Sequence, residues 1–75
     1  MEAGRVRFTG HALDKLAADG LKVEDAIRVI RGGTFEPAEL ERGTWRYRAR
    51  AATVYVVVSF RGEEQVIVVT AWRRR

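Results

Sequence analysis

The sequence predicts an α+β fold in which two N-terminal helices pack on one face of a three- to five-stranded antiparallel sheet. Three observations carry that expectation. Thr53 to Trp72 holds two runs of β-branched and aromatic residues parted by Arg61-Gly62-Glu63-Glu64, the pattern of a β-hairpin. Thr44 to Arg50 alternates with a period of two, Trp45, Tyr47 and Ala49 pointing one way and Arg46, Arg48 and Arg50 the other. Before Gly33, apolar residues recur at helical rather than strand spacing. The 75 residues leave room for a single domain, 1–75, with one core.

In chain order, Met1 to Gly4 reads as a frayed start, and Arg5-Val6-Arg7-Phe8 as a short edge strand. Thr9 is placed to cap a helix from about Gly10 to Asp19, ended by Gly20. Leu13, Leu16 and Ala17 share its inner face. A second helix is expected over Val23 to Arg31, with Glu24 and Asp25 at its positive end and Arg28 and Arg31 near its negative end. Ala26, Ile27 and Ile30 form its apolar stripe, Gly32-Gly33 stops it, and Lys22 is a poor cap. The short connection predicts that the helices form an αα-hairpin on the sheet. Pro37 confines any strand in Thr34 to Leu40 to an edge, since proline has no ladder donor. Ala51-Ala52 turns the chain into the hairpin. In its first run Val54, Val56, Val58 and Phe60 share one face, with Tyr55 and Val57 on the other.

Composition narrows the chemistry. Without cysteine there is no disulfide, thiolate zinc site or thiol nucleophile, and that fits a reducing, cytoplasmic setting. No export signal or membrane span is read, because no run approaches ~18 apolar residues. The formal charge is +4, and of 14 basic residues only Lys15 and Lys22 are lysine. Arginine forks match phosphate oxygens, although a charge of this size also keeps small domains soluble. No nucleophile elbow, phosphate loop, dinucleotide fingerprint or carboxylate metal cluster occurs, and no cofactor is implied.

Three features bear on function. His11, the single histidine, falls in the first turn of the Thr9-capped helix, where the helix end disfavours the imidazolium. It reads either as a general base or orienter, or as a histidine packed between helix and sheet. With no second histidine or cysteine to join it, a metal site is not expected. Arg46, Arg48 and Arg50 would stand ~6.5–7 Å apart along a strand, a row able to follow a phosphate backbone, with Tyr55 or Val57 beside it according to register and Tyr55 able to stack a base. The same row reads equally as a solvated face, with Glu39 and Glu41 as ion-pair partners. At the C-terminus Thr70 and Trp72 share a strand face, and Arg73 turns the other way, toward the rim where the His11 helix begins. Arg74 and Arg75 read as a basic tail.

Phe8-Thr9-Gly10-His11-Ala12-Leu13-Asp14-Lys15-Leu16, Gly20-Leu21, a second helix with Val23, Glu24 and Ile27, and the close Val68-Val69-Thr70-Ala71-Trp72-Arg73 resemble the bacterial domain-of-unknown-function family 4258. The resemblance spans nearly the whole chain and departs at Lys22, where a serine or threonine cap is usual, and at Lys15, where arginine is commoner. That family is similar to RelE-like and BrnT-like toxins of toxin–antitoxin systems, small α+β domains many of which cleave RNA. The resemblance implies a RelE-like fold, with His11 as acid or base, Arg73 and the sheet arginines on phosphate, and Thr70 orienting the scissile group. It implies metal-independent ribonuclease action on RNA or at the ribosome, with Arg46, Arg48, Arg50, Tyr55 and Lys15 binding RNA. The alternative is a non-catalytic interaction module whose partner is an antitoxin-like protein or a second copy.

Overall fold

The computed structural model describes residues 2–3, 5–62 and 64–74. In chain order the elements are β1 (Glu2–Ala3), β2 (Val6–Phe8), α1 (Gly10–Ala18), α2 (Val23–Gly32), β3 (Thr34–Phe35), β4 (Glu39–Glu41), β5 (Thr44–Ala51), β6 (Val54–Arg61) and β7 (Gln65–Arg73). The strands form one sheet in the order β1-β2-β7-β6-β5-β3, with β4 also paired to β5. The α+β class stands, but the expected architecture is corrected. The sheet has seven strands rather than three to five, it starts before the first helix, and it is mixed because β2 runs parallel to β7. Arg5 to Phe8 is therefore no edge strand: β2 lies between β1 and β7. Phe8 is buried beside Val68, its partner across the ladder.

The β5–β6–β7 meander forms the centre, as its composition demands. Ala49, Val56 and Ala71 pair across it and are fully buried on the side that the helices cover. α1 packs on β7, and α2 on β5 and β6, so each helix docks mainly on the sheet rather than on the other as a hairpin. Ala12 and Leu16 are the buried residues of α1, and Ala17 is exposed. In α2 the buried pair is Ala26 and Val29, with Ile27 and Ile30 partly buried beside them. The stripe of each helix is thus rotated by about one residue from the expected one, toward the small residues that let a helix approach a sheet closely.

Thr9 caps α1 as expected, its Oγ1 accepting from the Ala12 N–H at 3.0 Å. The same hydroxyl donates to the Val69 carbonyl at 3.1 Å, and the Thr9 N–H donates to the Val68 carbonyl. At the other end of α1 the Arg73 N–H donates to Asp19 Oδ2 at 2.8 Å. β2 therefore covers the first half of β7's outer edge and α1 the second half. Asp25 compensates for the poor cap of α2, its Oδ2 accepting from the Lys22 N–H at 2.8 Å.

Thr34 to Glu41 folds along β5 as two short strands on either side of Pro37, the edge placement that proline requires. The turn into β6 is Ala52-Thr53, with Ala52 at φ 53°, rather than Ala51-Ala52. Glu2–Ala3 is paired to β2 rather than frayed. The expectations for Met1, Gly4, Glu63 and Arg75 lie outside the described residues. Among those described, no helix is long and apolar enough to cross a membrane.

Candidate nucleic-acid interface

The sheet face away from the helices is where the sequence-predicted binding residues meet. Register fixes its rows: Arg50, Tyr55 and Trp72 lie side by side on β5, β6 and β7, and Arg48, Val57 and Thr70 form the next row. The Tyr55 and Trp72 rings stack, with centroids 5.2 Å apart and planes 2° from parallel. Further along, Arg7, Ile67 and Ser59 form a third row across β2, β7 and β6.

The charge balance differs across this face. On the β5 edge, Arg48 donates from Nε and Nη2 to Glu36 Oε1 at 2.9 and 2.6 Å. Arg50 Nε lies 3.5 Å from the second oxygen of the same carboxylate. Arg46 Nε is 3.8 Å from Glu41 Oε2. The hydrogen bond to Glu36, then its charge, raises the Arg48 pKa above the ordinary arginine value. The arginine row thus faces carboxylates on the 36–41 segment, and a polyanion approaching it must compete with them. Glu41 was a foreseen partner of the row; Glu36, the one that engages two arginines, was missed.

Toward the β6–β7 turn, away from the 36–41 segment, the balance is different. Arg7 and Arg61 are exposed and make no ion pair among the described residues. They flank a cleft of ≈ 430 Å³ whose wall continues through Phe8, Thr9, Gly10 and Ile67 to the start of α1. His11 follows Gly10 directly and is exposed, not walled in by Leu and Val side chains. Lys15 is exposed one turn further along α1.

The predicted residues accordingly divide into groups. Arg46, Arg48, Arg50, Tyr55 and Thr70 share the open face. His11 and Lys15 belong to the helix on the outer edge of β7. At ~4.8 Å per strand, β5 with its arginines lies two strands, ~10 Å, inward from that edge. Arg73 is opposite Val54 on the helix-bearing side, held beside Asp19 at the end of α1 rather than at its start. With a rise of ~1.5 Å per residue, the eight steps from His11 to Asp19 separate them by ~12 Å along the axis. Arg7 and Arg61 were missed as site residues. The signal for Arg7 was the alternation Arg5-Val6-Arg7-Phe8, whose basic side had to face somewhere, and Arg61 carried none beyond its place at the hairpin tip. Among the described residues no three His, Asp or Glu side chains converge in a way that could hold a metal ion. No family model, curated protein or solved structure matches the chain.

Proposed function

We propose that the protein binds RNA across its open sheet face, anchoring phosphates at Arg7 and Arg61 and stacking unpaired bases on the Tyr55–Trp72 side. The observation that carries this reading is the pair of unneutralised arginines around a cleft at the start of α1, on the same face as a stacked aromatic pair. The chain's charge of +4 favours encounter with a polyanion. The resemblance to family 4258 adds cleavage to binding. His11, exposed beside the cleft, is the residue proposed to take the 2′-hydroxyl proton as the oxygen attacks phosphorus. Arg7 and Arg61 would then stabilise the developing charge, and the bond from phosphorus to the 5′-oxygen would break as that oxygen takes a proton from water.

Fluorescence anisotropy of a labelled single-stranded RNA over a range of salt tests the binding claim. Each phosphate contact contributes about 0.7 to the log–log salt slope for a single strand, so Arg7→Ala with Arg61→Ala lowers the slope by about 1.4. An unchanged slope and affinity in the double variant would overturn it. Cleavage is read from total RNA incubated with wild type and His11→Ala, with and without ribosomes; equal background from both counts against a catalytic histidine.

A second reading has its own observation. Leu40, Trp45 and Phe60 are 60%, 55% and 51% exposed, and Phe35 is exposed as well. Leu40 pairs across from Trp45, and Phe60 packs edge-on against Tyr47 with centroids 5.1 Å apart. An apolar strip of this kind supports protein association, with an antitoxin-like protein or a second copy as the partner. Sedimentation of wild type and Trp45→Glu at low and high salt tests it: association that resists salt and disappears in the variant is expected. A monomer under all conditions would remove the second-copy form of this reading.

A further inference from the structure

The carboxylate-rich edge of the open face holds a small cavity of ≈ 120 Å³ between β5 and the 36–41 segment. Arg46 and Arg48 form one wall, Val57 lies in its floor, and Glu39 and Glu41 stand over it. Trp72 also lines it, although β7 is two strands from β5, so the indole reaches across β6 to the cavity. One side of the Trp72 ring is taken by Tyr55. The volume corresponds to about four waters at ~30 Å³ each, the scale of one small planar ring.

Two features define what fits. The Arg46 Nε–H is buried and has no acceptor within hydrogen-bond reach among the described residues; its nearest carboxylate oxygen, on Glu41, is 3.8 Å away. Nε itself is covered, so it is the exposed part of the Arg46 side chain that lines the cavity, and because a guanidinium only donates, the occupant must carry an acceptor. Glu39 and Glu41 repel a free anion and accept hydrogen bonds from N–H groups. The occupant is therefore flat, uncharged and equipped with an acceptor next to a donor. An unpaired nucleobase with an exocyclic amine has that chemistry, and Trp72 offers it a stacking surface.

We propose that this cavity is a base-reading subsite for single-stranded RNA. The Arg46 guanidinium donates to a ring acceptor, Glu39 or Glu41 accepts from the exocyclic amine, and the ring stacks on Trp72. The proposal rests on the RNA-binding reading and deepens it: Arg7 and Arg61 position the backbone, and this cavity selects the base. The sequence-independent part and the selective part thus occupy different regions of one face.

A Trp45→Phe background leaves Trp72 as the single indole, because the chain has only two tryptophans. Its emission is followed on adding oligocytidylate, oligouridylate, free cytidine or inorganic polyphosphate. Oligocytidylate is expected to quench Trp72 and to bind about fivefold or more tighter than oligouridylate, whose base lacks the exocyclic amine. Arg46→Ala should abolish that preference, whereas Arg7→Ala with Arg61→Ala should weaken both oligomers alike. Equal affinity for the two oligomers, or salt-sensitive RNA binding with unchanged Trp72 emission, overturns the subsite and leaves the RNA-binding reading intact. Quenching by cytidine without any polymer binding keeps the subsite and removes the RNA-binding reading. No response to any probe overturns both.

Discussion

Replacing Thr9 by valine keeps the side-chain shape and removes both hydrogen bonds of the hydroxyl. One is the cap on the Ala12 N–H at 3.0 Å, and the other is the donation to the Val69 carbonyl at 3.1 Å. Loss of a cap costs about 1 kcal/mol, and loss of a part-buried hydrogen bond about 1 kcal/mol more, so the variant should be about 2 kcal/mol less stable. For a domain this small, that lowers Tm by roughly 8–16 °C. Thr9→Ser retains the hydroxyl and should lose far less. Thermal melts followed by far-UV circular dichroism separate the cases. A valine variant within about 0.5 kcal/mol of wild type, or a serine variant as unstable as the valine one, would refute the two-bond account. The same substitution probes the candidate site, because Thr9 and Gly10 form one wall of the cleft between Arg7 and Arg61.

Gly33→Ala should be strongly destabilising, by about 1–3 kcal/mol, because a Cβ there would lie 2.5 Å from the Val29 carbonyl oxygen and 2.6 Å from that of Arg50. Both obstacles are backbone, and chemical denaturation would show the loss as a lower midpoint. Ala52→Gly should act the other way, raising stability by about 0.5–1 kcal/mol and with it the midpoint, since Ala52 holds φ 53° in a turn where glycine carries no Cβ penalty. Glu36→Gln removes the carboxylate charge shared by Arg48 and Arg50. It should change thermal stability little and should tighten RNA binding at low salt, measured by anisotropy, with a steeper salt dependence. Unchanged or weaker RNA binding would show that the β5 arginines do not face RNA.

The long strands were legible because their alternation is local. Arg46, Arg48 and Arg50 do share a face, and Val54, Val56 and Val58 do share the other. The Thr9 cap was legible for the same reason, since its acceptor and donor are three residues apart. The parallel pairing of β2 with β7 was not. It joins Val6 to Val66 across nearly the whole chain, and nothing in a three-residue strand announces a partner that distant. Strands of two or three residues, such as Thr34–Phe35 and Glu39–Glu41, are too short to display a period. The charge balance of the arginine row was half legible: Glu41 was in view, but Glu36 reaches Arg48 and Arg50 only because Pro37 breaks the edge into two strands.

The placement of Trp72 depends on one residue that alternation cannot reveal. Counting by twos from the buried Val68 would send Thr70 and Trp72 into the helix-covered core and turn Ala71 outward. In the structure Val58 pairs with Val68 but Val57 pairs with Thr70, so Val69 is an extra residue in the ladder. That bulge resets the phase: small Ala71 enters the core, and Thr70 and Trp72 join the arginines on the open face. The bulge also turns the Val69 carbonyl to the Thr9 hydroxyl, so the irregularity that aims Trp72 at the cavity is the one that fastens the start of α1. The cleft at Arg7 and the cavity at Arg46 are separate sites on the sheet. Both are positioned through the same break in β7, and this couples where a backbone would be held to where a base would be read.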